Sequence, residues 1–565
     1  MQRRYRRHDR RNVTDLGGFW DFQFLGEVEF DEVDPARISF EEVMAIPGNF
    51  DATPGYPGAR GMSAFGKTAL VTDATPHRLI LDGVHHAARV FVDGKQIAEH
   101  LGGFTQFAAD FTPDGPGEVQ IVVLVDNRID YDRCPLHLDY FDWYHYGGLS
   151  RGAELHRLGE LNINDVRVVT ESIDPPTLRV EIEYQATSKP LSPELVITVD
   201  GEEKIRDTVT LDNRFGKIGR TIELPGAALW SPQEPNLHMV HVRLGEDDLR
   251  ERTGIRTVEV NGRDVCINGQ PQRLLGFNRH EAHPQFGHGL PSQLIVSDVQ
   301  QLKEMNCNFV RGSHYPQDVR FLDLCDEMGL CVWNEGIGWQ HTAEQLTDPK
   351  FVNAQKTNLG EMIAAAKNHP SVIMWGLINE SHSNDADARK GYEALIAHIR
   401  QCDPTRPVTY ACNRWEHDIC MDLADIVAIN IYPGWYGSDI EAVPAFIDKV
   451  VKRFKDEGFD DKPMMIAEIG AGALYGWRDD HETRWSEQYQ SKLLTVVIEH
   501  MFETSDRFFG LTIWQFGDCR TSHQVGKAIG RPRAFNNKGV VDEYRRAKQA
   551  FTTVKNLYAR LSGKS

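Results

Sequence analysis

Apolar and polar residues are arranged in two different ways along the 565-residue chain, and the change falls near residue 255. Up to that point short runs alternate apolar with polar residues and break at Gly, Pro or Asp, as in HRLILDG (77–83), ARVFVDGKQIAEH (88–100) and VQIVVLVDN (119–127). Alternation with a turn signal every few residues predicts antiparallel strands in sandwiches. Residues 1–159 read as one jelly-roll-like unit, with Asp93-Gly94 as a hairpin turn between RVFV and KQIA. Residues 160–254, with LRVEIEYQA, ELVITVD and HMVHVRL, read as an immunoglobulin-like sandwich.

From 255 to 565 nearly continuous apolar runs alternate with stretches of helical periodicity such as SDVQQLKEMN and GYEALIAHIRQC. The runs at 274–280, 307–314, 330–336, 372–380, 408–413, 426–432, 464–470 and 511–518 make eight candidate strands, which predicts a (β/α)8 barrel. Most of these runs end on polar or aromatic residues: Asn278 to His280, Arg311 to His314, Asn334 and Glu335, Asn379 and Glu380, Asn430 and Tyr432, Glu468, and Trp514. In a parallel barrel all such endings share one face, which is where a pocket forms.

Charge and cysteine content narrow the function. With 62 Lys and Arg against 82 Asp and Glu the net charge is −20, which argues against nucleic acid or an anionic membrane as partner. No apolar run reaches the ~18 residues of a membrane span. The basic opening MQRRYRRHDRR leads into no apolar segment, so it reads as a solvated arm and not as a secretory signal. Nine scattered cysteines without a CxxC pair fit reduced thiols and a cytoplasmic location.

Glu380 and Glu468 carry the chemistry. Each alone is more often a surface or ion-paired residue, but strands four and seven of a closed ring face one another, and two carboxyls across a barrel mouth are the equipment for cleaving a glycosidic bond. Two decoys can be set aside. GLSRG (148–152) lacks the strand-turn-helix context of a nucleophile elbow. His280, Glu281 and His283 lack the spacing of a helical zinc site, so contact with a sugar or with Glu380 is the expectation for them.

The motifs GFNRHE (276–281), RGSHYP (311–316), WGLINE (375–380) and AEIGA (467–471), with GGFW (17–20), DGKQIAEHLGGFTQFAADFT (93–112) and GIRTVEVNGRDVCINGQP (254–271), resemble glycoside hydrolase family 2 over nearly the whole chain. Within it the details look most like the members that hydrolyse β-glucuronides. The resemblance implies a retaining exo-glycosidase without cofactor or metal, with Glu380 as acid/base and Glu468 as nucleophile. It implies Asn379 at the sugar 2-hydroxyl and Tyr432 orienting the nucleophile, where the alternative is a core aromatic.

The same likeness makes Asn430, Asp142, Tyr436 and Trp514 sugar contacts, packing or an exposed loop being the ordinary alternatives, and sets Arg311 and His314 beside the nucleophile. Asn536 and Lys538, in AFNNKGVV, match an Asn-x-Lys pattern that holds the carboxylate of a uronic acid; Arg531 and Arg533 are secondary candidates there. The expected partners are a glucuronide or other uronide, small molecule or oligosaccharide, and further copies of the chain in a dimer or tetramer. A β-galacturonidase, a β-galactosidase and a non-catalytic carbohydrate-binding protein remain alternatives. The short segment after Trp339 predicts an open mouth that accepts bulky aglycones.

Overall fold

The computed structural model describes residues 5–138, 141–522 and 530–563. The first β region holds a six-stranded antiparallel sheet, in the order Glu42–Ile46, Gly18–Gly26, Met62–Val71, Gly117–Asp126, Ala87–Val92, Lys95–Leu101, facing a four-stranded sheet that includes His77–Leu81 and Ala153–Arg157. Trp20, Phe22, Phe65, Val90, Ile121 and Val123 fill the space between them. The predicted hairpin is present: Val92 pairs with Lys95, and Asp93 and Gly94 both have positive φ (48° and 75°), as a tight two-residue turn requires. The second region packs the strands Leu161–Ile173, Pro176–Ala186 and Phe215–Glu223 against a four-stranded sheet around Ile182, Ile197, Val240 and Leu249.

The remainder is a closed barrel of eight parallel strands: Leu274–Arg279, Phe309–Gly312, Cys331–Glu335, Val372–Asn379, Val408–Cys412, Val427–Asn430, Met464–Ile469 and Gly510–Ile513. Leu274 pairs with Gly510 to close the ring. These strands are buried on both faces, which is why they read as unbroken apolar runs. The helix expected after the fifth strand is missing: residues 413–426 cross to the sixth strand in turns, with Asp418 fixing the connection through Tyr410 and the backbone of Cys420 and Met421.

Of the opening expected as a solvated arm, residues 1–4 lie outside the described residues, and residues 5–11 depart from that reading. Arg7 bridges to Arg250 in the second region, and the Arg11 side chain, 4% exposed, pairs with Asp247 and donates to the Ile163 carbonyl. Burying a guanidinium needs a nearby carboxylate, and this segment finds one, so it packs as a structural strap.

A long excursion from the first region reaches the barrel. Cys134, Leu136, Phe141 and Trp143 belong to the barrel's apolar cluster and not to that of their own sandwich. This excursion positions Asp142. No helix among the described residues is long and apolar enough to cross a membrane, and the nine cysteines are all free thiols.

Candidate active site

The barrel brings the strand endings together. Arg311, at the end of the second strand, is the hub, and its five N–H groups are all spent on protein. Nε and Nη2 grip Glu335 (both 2.9 Å), Nη1 donates to Glu468 (2.8 Å) and Asn278 (3.0 Å), and Nη2 also reaches Asn379 (2.9 Å). Against the penalty of full burial, the charges of Glu335 and Glu468 keep the guanidinium ionised. Arg311 therefore lies beside Glu468, with its N–H groups turned to protein partners. His314 stacks on Trp514 (5.0 Å between ring centroids) with Nε2 3.8 Å from Glu468. Burial and the neighbouring Arg311 hold its pKa well below the usual value, so it abuts Glu468 as a neutral ring.

Glu380 sits one residue past the fourth strand. Its left-handed backbone (φ 49°) is uncommon for a non-glycine residue and is held by the bond from its N–H to the Ala411 carbonyl (2.9 Å). The carboxyl accepts from Asn430 (2.9 Å) and Gln340 (3.2 Å). Gln340 is in reach because Trp339 and Gln340 run alongside Asn379, with backbone bonds of 2.9 Å and 3.0 Å. Glu468 accepts from Tyr432 (2.7 Å) as well as Arg311. Asn379 accepts from both Arg311 and Asn430, while its own buried Nδ2 has no hydrogen-bond partner among the described residues.

Both carboxyls are raised, and what distinguishes them is their donors. Burial is the largest cause that raises each; Glu468 is pushed up to about 8, with the charge of Glu380 adding to the rise and Arg311 and Tyr432 opposing it. The donor sets differ. Glu468 is met by a guanidinium and a phenol, Glu380 by two neutral amides. A proton on Glu380 removes the mutual repulsion and leaves Glu468 with the partners that favour its ionised form. The Tyr432 phenol is held well above its usual pKa, by burial first and Glu468 next, so it remains a donor.

A second cluster lies beside this one. The strand Phe535–Asn536 pairs with Cys519–Arg520, and Gln515 N–H bonds to the Lys538 carbonyl (3.0 Å), which fixes the NNK segment to the end of the eighth strand. The Lys538 ammonium is 3% exposed. It donates to Tyr436 (3.0 Å) and lies 5.2 to 5.8 Å from the ring centroids of Tyr432, Trp435 and Tyr436. Among the described residues no carboxylate pairs with it. Asp142 instead meets Arg531 in a two-pronged pair (2.7 and 2.5 Å) and accepts from Asn536 (2.9 Å). Burial raises the Tyr436 phenol, but Lys538 and Arg531 outweigh it and bring its pKa below the ordinary value.

All twelve predicted site residues thus fall in these two adjoining clusters. Arg533 does not: it pairs with Glu543 (2.8 Å) and is half exposed. Glu281 is taken by Arg151 (2.8 Å) and the Asp318 N–H (2.6 Å), and no hydrogen bond links it to Glu380 among the described residues. Gln340 and Trp435 were not predicted for the site, and Asn278 and Glu335 were expected at the barrel mouth only as strand endings, without a role. Glu335 had a visible signal, since WNEG ends a buried strand in the same way as WGLINE.

Residues 258–562 match the TIM barrel domain of glycosyl hydrolases family 2, and residues 161–256 match a further domain of glycosyl hydrolases family 2. A β-glucuronidase of Paenibacillus borealis is 30% identical across 98% of this chain and 97% of its own. The crystal structure of a β-galacturonidase from Eisenbergiella tayi bound to galacturonate superposes with a TM-score of 0.92 at 33% identity, covering 99% of each chain. A Bifidobacterium dentium β-glucuronidase complexed with coumarin-3-O-glucuronide gives 0.88 at 27% identity, covering 98% and 97%.

Proposed function

The chain belongs to glycosyl hydrolase family 2, and from that premise we propose that it is an exo-acting β-uronidase that cleaves with retention of configuration. The observation that carries the reading is the buried Lys538 ammonium, which no carboxylate among the described residues meets, next to a pair of carboxyls with unequal donor sets. Glucuronate is the first reading of the sugar, in line with the curated relatives. A second reading, galacturonate, is favoured by the 0.92 superposition on an enzyme of that specificity.

In this account the sugar carboxylate settles between Lys538, Asn536 and the phenol of Tyr436, where a charge-assisted bond offsets its desolvation. Asn379 offers its unpartnered Nδ2 to a ring hydroxyl, and Asp142 accepts from others. Protonated Glu380 hands its proton to the leaving oxygen while ionised Glu468, steadied by Arg311 and Tyr432, attacks the anomeric carbon. With the aglycone gone, Glu380 takes a proton from a water whose oxygen attacks the anomeric carbon and displaces the Glu468 carboxylate, which frees the sugar with its original anomeric configuration. Retention of this kind works with carboxyls roughly 5 to 5.5 Å apart. Free thiols that are buried, apart from half-buried Cys402, suit a reducing compartment such as the cytoplasm.

Hydrolysis of nitrophenyl β-glucuronide, β-galacturonide and β-galactoside in parallel tests the reading, with the first-formed anomer followed by NMR. The expected result is turnover of one uronide well above the galactoside, with the β-anomer appearing first. Preference for the neutral sugar, or first appearance of the α-anomer, refutes it.

A further inference from the structure

Away from the carboxyl pair, three histidines from two parts of the first region converge in the interior. His86 lies between the strands Val84–His85 and Ala87–Val92, and His137 and His145 bracket the stretch that carries Asp142 and Trp143 to the barrel. Their exposures are 1%, 0% and 0%. Ring centroids are 4.4 Å apart for His86 and His137, 4.7 Å for His137 and His145, and 5.3 Å for His86 and His145. One nitrogen from each ring lies within 4.8 Å of the other two.

The backbones here are tied down: His86 N–H donates to the Asp126 carbonyl, its own carbonyl accepts from Gly102, His137 N–H donates to the Cys134 carbonyl, and the His145 carbonyl accepts from Arg60. The side chains are not. All six ring nitrogens are shut from solvent without a hydrogen-bond partner among the described residues. One unpartnered buried imidazole nitrogen is ordinary; six in one cluster, with one from each ring within 4.8 Å of the other two, are a strong departure from how buried polar groups are satisfied.

We propose that His86, His137 and His145 bind a transition-metal ion, zinc first, with water in the fourth position. Neutral imidazoles are good ligands for late first-row metals, and burial holds all three rings neutral. Zinc takes histidine nitrogen at ~2.0 to 2.1 Å in a tetrahedral shell, so the separations between the three nitrogens shrink by up to roughly 1.5 Å. The ion uses three of the six unpartnered nitrogens. The nearest cation, Arg60, is already engaged with Asp51 (3.3 Å) and the carbonyls of Asn127 and His145. Because the ligands come from the bend between two sandwich strands and from both sides of Asp142, the ion clamps the excursion to the sandwich that supports it.

The test is metal content of the full chain, expressed with zinc, copper and nickel supplied and measured by mass spectrometry. Close to one equivalent per chain is expected, falling at least tenfold in His137→Ala/His145→Ala. As a second measurement, the metal-stripped wild-type chain loaded with cobalt is expected to show the visible bands of a tetrahedral site, absent from His86→Gln. Circular dichroism checks that both variants remain folded. Wild-type protein with less than a tenth of an equivalent and no cobalt spectrum overturns the proposal, as does metal content unchanged in the double variant. Neither measurement depends on which glycoside is hydrolysed, so this proposal and the uronidase reading fail separately.

Discussion

Lys538 and Lys548 lie ten residues apart, and both are almost wholly buried, at 3% and 2% exposure. Lys548 has what a buried ammonium needs: the Asp518 carboxylate at 2.8 Å and the carbonyls of Ala473 and Asn537 at 2.7 and 3.1 Å. Lys538 has one phenol and three aromatic faces. A charge taken from water costs several kcal/mol unless it is paired. The folded chain meets that cost inside itself at Lys548 and leaves it open at Lys538. Two cations of the same kind thus teach a distinction: the paired one holds the fold together, and the one that no described carboxylate meets is, on the proposed reading, kept for the sugar's carboxylate.

The comparison can be broken in several places. The largest effect is expected at the carboxyls that Lys538 serves: Glu468→Gln should lower kcat on aryl uronides by roughly a thousandfold or more while ligand binding, followed by calorimetry, persists. Unchanged turnover would remove Glu468 from the reaction. Glu380→Gln should lose about a hundred- to ten-thousandfold, with less harm on substrates whose leaving group needs no proton. On the structural side, Lys548→Met leaves Asp518 buried and unpaired, so thermal unfolding should show a loss of about 3 kcal/mol, with the preference for uronides over neutral sugars unchanged.

Acid and base sharpen the picture. Glu468 must be ionised to attack, and its pKa in the ligand-free site is held above the ordinary glutamate value by burial. The kcat/KM profile should therefore fall on the acid side with an apparent pKa well above ~4.3. Tyr432→Phe removes a donor that favours the ionised form, so that limb should move to higher pH with about a tenfold loss at its maximum. An acid limb at an ordinary carboxyl value, unmoved in the variant, would contradict the assignment. Arg533→Ala should change kcat/KM least, by less than about twofold, because Glu543 already neutralises that guanidinium.

The barrel was legible because parallel strands covered on both faces read as unbroken apolar runs, and because the residues that leave the core at Asn379 and Glu380 are polar. The carboxyl pair followed from position in the ring. What stayed hidden depends on distance in three dimensions and not in the text. Glu335 and Asn278 matter because Arg311 reaches across from another strand, and Gln340 because a loop runs beside Asn379. The opening arginines read as solvated because Asp247 stands more than two hundred residues away. The three histidines obey no ligand spacing, with His86 some fifty residues before His137, so nothing in the sequence marks them as a group. The failed helix at 413–426 is of another sort: the barrel count assumed a regular repeat, and Asp418 offered a shorter way across.

The most direct test of the account is Lys538→Met, assayed for kcat/KM on the preferred aryl β-uronide and on the matching neutral β-glycoside. If the lysine is reserved for the sugar's carboxylate, the uronide should lose about a hundredfold and the neutral substrate less than about threefold. Equal losses on both would make Lys538 a structural residue like Lys548 and contradict the account.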